Sequence, residues 1–146
     1  MKSDFLLLPL LLLAWIALSV RAQSATSLTI VVRNLPDGGA TANGQSVACV
    51  GTLNGWNNAA TTATVAGGRL EFTFADLGAL SALDSSWGDL PAGANAAFQF
   101  VAPGTWNAAV CADFISNQGN FRVALAEGSA NVVDIDAGPV PWLVDQ

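Results

Sequence analysis

The amino-acid sequence predicts an all-β fold, an antiparallel β-sandwich of about seven strands. Three observations carry this expectation. Short apolar stretches with period-2 alternation recur from Leu28 to Ile135, which is the pattern of strands with one buried face. Clusters of Gly, Pro, Asn and Ser separate them at short intervals, as turns do in sandwiches. After residue 23 no stretch sustains the 3.6-residue period of a long helix.

Taken in order, Leu28-Thr29-Ile30-Val31-Val32-Arg33 is β-branched and roughly alternating, and it ends at the turn signal Pro36-Asp37-Gly38-Gly39. Val47 to Val50 is a second strand, stopped by Gly51. Leu70-Glu71-Phe72-Thr73-Phe74 is the cleanest alternation, with Leu70, Phe72 and Phe74 facing in and Glu71 and Thr73 facing out. Phe98-Gln99-Phe100-Val101 repeats it and turns Gln99 away from the phenylalanines. Trp106 to Cys111, Phe121 to Leu125 and Val132 to Ile135 complete the set. The one candidate helix is the short Ala/Leu-rich insertion Leu77 to Ser86.

The N-terminus reads as an address rather than as part of the fold. Lys2 is followed by an apolar run of 14 residues, Phe5 to Leu18, and Val20-Arg21-Ala22 offers a cleavage site after Ala22. The run is shorter than the roughly 20 residues of a membrane-spanning helix. Residues 1–22 are therefore expected to be a cleavable signal peptide, and residues 23–146 a single domain outside the cytoplasm, secreted or periplasmic. No membrane partner is expected after cleavage.

Residues 23–146 contain three arginines and no lysine against ten acids, a formal net charge of −7. That balance excludes the basic footprint of a nucleic-acid-binding protein and suits neutral partners. The pair Cys49 and Cys111 is expected to form one disulfide in an exported chain. Closing a loop of about 60 residues is worth roughly 4 kcal/mol in the chain-entropy view.

Catalytic chemistry is sparse. The chain has no His and no Tyr, which removes the usual general base, triad member and metal ligand. The signature loops of nucleotide-binding and serine-hydrolase sites are absent too. Asp134 and Asp136, two residues apart on the last strand, are the remaining candidate acid–base or calcium pair. A solvated strand face accounts for them more simply. The expectation is a protein that is not an enzyme and needs no cofactor and no metal.

Tryptophan is the residue type that asks for a function. Trp56, Trp87, Trp106 and Trp142 lie after the signal. Trp56 sits in the polar loop Gly51-Thr52-Leu53-Asn54-Gly55-Trp56-Asn57-Asn58, and Trp106 follows the turn Pro103-Gly104-Thr105. A flat apolar ring flanked by amides suits the C–H face and hydroxyls of a sugar. It would equally well cap the open end of a sandwich core.

The order of these pieces resembles a known family. V-G-T-L-N-G-W-N, an alternating strand, F-Q-F-V-A-P-G-T-W and N-F-R-V-A-L, spread over residues 27–142, are similar to the starch- and glycogen-binding modules. These include the glycogen-binding domain of the AMP-activated kinase beta subunit and modules attached to bacterial amylases and pullulanases. The resemblance implies an early-set immunoglobulin-like sandwich that binds α-glucan. It implies that Trp56 and Trp106 form a stacking platform, with Gln99 and Asn120 as hydrogen-bond partners and Trp142 in a packing role. Gln99 stands where the family has lysine, and Leu53 where it has phenylalanine. The segment 76–95 is longer than the family's turn and brings in Trp87. The cysteines are not part of the family pattern. The alternative expectation is a secreted structural or protein-interaction sandwich that has lost sugar binding. Its partner would meet a sandwich face or an apolar patch of Leu80, Leu83 and Trp87.

Overall fold

The computed structural model describes residues 24–83, 90, 93–110 and 120–138. The described residues form eight strands: β1 (Ser27–Arg33), β2 (Ser46–Gly51), β3 (Thr62–Thr64), β4 (Leu70–Phe74), β5 (Ala96–Val101), β6 (Ala108–Val110), β7 (Phe121–Val123) and β8 (Ala130–Asp136). They form two sheets. The smaller has the order β4-β1-β8, and the larger has β3-β2-β5-β6 with β7 also on β5. β7 pairs with β5 at Ala96–Phe98 and β6 pairs with it at Phe100–Val101. The two short strands thus lie end to end along one side of β5. The expected all-β sandwich is therefore present.

Its pairing is not wholly antiparallel. β1 runs parallel to β8, from Ser27 opposite Ala130 to Arg33 opposite Asp136. A tight hairpin cannot join parallel neighbours, but these strands lie at opposite ends of the domain, and the whole intervening chain serves as the crossover. β3 was not expected. Thr62-Ala63-Thr64 has no apolar alternation to mark it, and it forms because β2 offers it the register Ser46↔Thr64 to Ala48↔Thr62. At Leu77 to Ser86 the described part holds only a single 3-10 turn, Leu80–Ala82. Leu80 and Leu83 are partly buried against the core rather than forming an open patch, and Trp87 lies outside the described residues.

The core lies between the sheets and follows from the alternation. Leu28, Ile30 and Val32 of β1 and Leu70 and Phe72 of β4 face Val47 and Cys49 of β2 and Ala96, Phe98 and Phe100 of β5. Phe72 stacks on Phe100 across the gap with ring centroids 5.4 Å apart. Phe98, Phe100 and Phe121 meet within the larger sheet at 5.5–5.7 Å. Such pairs add about 0.5–1.5 kcal/mol each to the area they bury.

Where β2 meets β5 the backbones come too close for a side chain. A Cβ on Gly51 would meet the Ala97 carbonyl oxygen and stand 2.6 Å from Phe98 Cα. Main chain cannot swing aside as the end of a side chain can. Gly51→Ala is therefore expected to destabilise the domain by at least about 1–3 kcal/mol, seen as a lower urea midpoint with an unchanged slope. An unaltered midpoint would show that the two strands separate without cost.

Candidate functional site

The larger sheet has a second face, turned away from the core, and the residues singled out for binding gather there. Because Phe98 and Phe100 point inward, Gln99 and Val101 must point outward. β2 matches them, with Val50 opposite Gln99 and Ala48 opposite Val101. On β7, Phe121 and Val123 pack against the core, so Arg122 is outward and exposed. Asn120 precedes the pair Phe98↔Phe121 by one residue. That step continues the row Val50, Gln99, Asn120 across the sheet.

The loop from Thr52 to Thr61 folds Trp56 back over this face. Trp56 packs on Ala48, Val50 and Val101 and is only 8% exposed. The loop is wound around Asn54. Its side-chain oxygen accepts from the Gly51 N–H at 3.1 Å, and its amide donates to the carbonyl oxygens of Cys49 and Asn57 at 2.9 and 3.1 Å. Gly55 and Trp56 both adopt left-handed backbone, with φ of 61° and 60°. For a bulky residue such as tryptophan this conformation costs on the order of 1–3 kcal/mol. The Trp56 N–H bond to the Gly51 carbonyl at 2.9 Å and the apolar seat of the ring offset it.

Trp106 stands on the β5–β6 turn and is 52% exposed. Asn58 ties this turn to the Trp56 loop, its amide donating to the Thr105 carbonyl and its own carbonyl accepting from the Gly104 N–H, both at 3.0 Å. The two tryptophan loops are thus adjacent and joined. The rings do not share one open platform. Trp56 is part of the packing, and the expectation that it presents an open stacking surface is corrected by its burial. The physical reason is that Ala48 and Val50 would otherwise leave an apolar strip bare.

Gln99 is half-buried. Asn120 is 5% exposed, and its side-chain oxygen has no hydrogen-bond partner among the described residues. A buried acceptor left unmatched costs about 1–3 kcal/mol, so a donor brought by a ligand would recover part of that. Sequence reasoning missed the positioning roles of Asn54 and Asn58. Their abundance beside Trp56 was the available signal.

The other candidates separate from this face. Asp134 and Asp136 lie on β8 in the smaller sheet, about half exposed, with Arg33 at 2.7 Å from Asp134 and 3.9 Å from Asp136. The Asn34 amide, then the Gly138 N–H, hold the Asp136 carboxyl below its ordinary range. That is the opposite of the raised value a general acid needs. Among the described residues no group of three or more metal-ligating side chains comes together, and no helix is long and apolar enough to cross a membrane. Residues 1–22, carrying the expected signal, and Trp142 lie outside the described residues.

Cys49 is a free, fully buried thiol in the structure, and burial pushes its pKa well above the ordinary thiol range. Cys111 lies outside the described residues, so the expected pairing is not among the described contacts. Iodoacetamide at pH 8 without reductant should label the Cys49 peptide only after unfolding in urea. Labelling in the native state would contradict the burial, and no labelling in urea would establish a bridge.

No family model, curated protein or solved structure matches this chain.

Proposed function

We propose that this chain is an exported, non-catalytic glycan-binding domain, with α-glucan the ligand class that the sequence resemblance implies. The observation that carries the reading is the joined pair of tryptophan loops over one sheet face. Trp106 is the contact ring, and Trp56 is its buried support rather than a second stacking surface. Gln99 offers both a donor and an acceptor, and Asn120 an unmatched acceptor, in one row across the same face. A half-exposed ring with a few amides supports weak binding, on the order of micromolar to millimolar.

The burial of Trp56 favours a second reading, a protein-interaction sandwich in which both loops serve only to close the sheet. Titration with maltoheptaose separates the two. Under the glycan reading, millimolar maltoheptaose shifts tryptophan emission, and Trp106→Ala removes the shift while leaving the urea midpoint within about 0.5 kcal/mol, as for other surface changes. Trp56→Ala instead lowers stability by about 3–5 kcal/mol. No response of the intact domain at millimolar sugar would leave the interaction reading standing.

A further inference from the structure

The larger sheet differs from the smaller in charge as well as in shape. Its five strands contain no Asp or Glu, and the segments 45–68 and 93–110, which carry both tryptophan loops, contain no charged residue at all. The single charge on those strands is Arg122. Of the described acids, Glu71, Asp134 and Asp136 lie on strands of the smaller sheet, and Asp37, Asp76 and Glu127 lie on the connections between the two sheets. The same partition appears among the cations. Arg33 is paired with Asp134 and Asp136, and Arg69 with Glu71 at 2.7 Å. Arg122 makes no ion pair among the described residues.

Its place in the sheet is specific. Arg122 faces outward opposite Ala97, which has no side chain long enough to cover it, and it is two residues along the same face from Asn120. Between the levels of Ala97 and Val101 the face extends four residues, about 13 Å at strand spacing, and the exposed Trp106 lies beyond. Ala97, Val101 and Asn120 on this stretch are themselves buried, Val101 beneath Trp56, so an extended chain of sugars lying over it would meet Trp106 at one end, the half-buried Gln99 between and the exposed Arg122 guanidinium at the other.

We infer that the ligand is an anionic glycan, with a carboxylate or sulfate group held by Arg122. The inference rests on the glycan-binding reading above and replaces its neutral chain by a charged one. An arginine fork matches such an oxyanion with two parallel hydrogen bonds. The domain's net negative charge does not oppose this. At physiological ionic strength fields are screened over about 8 Å, and stacked sheets lie about 10 Å apart, so the acids of the smaller sheet act weakly at the outer face of the larger.

The test compares three probes on the intact domain at 50 and 500 mM salt: maltoheptaose, a galacturonic acid oligomer and a sulfated galactan oligomer. The expected result is binding of at least one acidic oligomer about tenfold or more tighter than maltoheptaose at low salt, with the advantage shrinking at high salt. Whichever acidic probe binds identifies the oxyanion. Arg122→Gln should remove the advantage, and Arg122→Lys should restore part of it. Maltoheptaose binding that equals that of both acidic probes, or an Arg122→Gln domain that keeps the advantage, overturns the inference and leaves the glycan reading intact. Binding of none of the three overturns both. Acidic binding lost in Arg122→Gln but kept in Trp106→Ala upholds the anion site and removes the ring contact.

Discussion

The stack of Phe72 on Phe100 is the contact on which the rest of the molecule depends. It joins the smaller sheet to the larger at the centre of the core, and Phe98 and Phe121 extend it along the larger sheet. With these rings pointing inward, the strict alternation of a strand leaves no choice for their neighbours. Gln99 has to face outward between Phe98 and Phe100, and Arg122 between Phe121 and Val123. The packing of the core therefore decides what the outer face presents, although no outer-face residue touches it.

The outer face also needs cover. Ala48, Val50 and Val101 form an apolar strip, and the chain covers it with Trp56 at the cost of a left-handed tryptophan. The loop that holds this ring is built from amides. Asn54 supplies the bonds that the irregular backbone cannot make with a partner strand, and Asn58 fastens the loop to the turn carrying Trp106. Buried polar backbone must be satisfied, and here short side chains do so locally. The result is a fixed relation between one buried and one exposed tryptophan.

Charge is distributed with the same economy. Two arginines neutralise acids on the smaller sheet, while the larger sheet and its tryptophan loops are uncharged except for Arg122. The sheets differ in the kind of neighbour they can accept, and that difference is set by which strands carry which residues.

Much of this was legible in the sequence. Period-2 alternation located β1, β2, β4, β5, β7 and β8 to within a few residues, and it set the outward direction of Gln99, because burial of one face is written into the order of residue types. The grouping of Trp56, Gln99, Trp106 and Asn120 was implied only by the family resemblance, and the burial of Trp56 corrects its open platform. The rest depended on partners distant in the chain. β3 exists because β2 is there to bind it, and the parallel pairing of β1 with β8 joins strands about a hundred residues apart. The burial of Trp56 likewise required knowing that Ala48, Val50 and Val101 lie beneath it. A sequence states which side of a strand is apolar. Only the packed structure decides what comes to lie against it, because that is a competition among long-range contacts that no local pattern records.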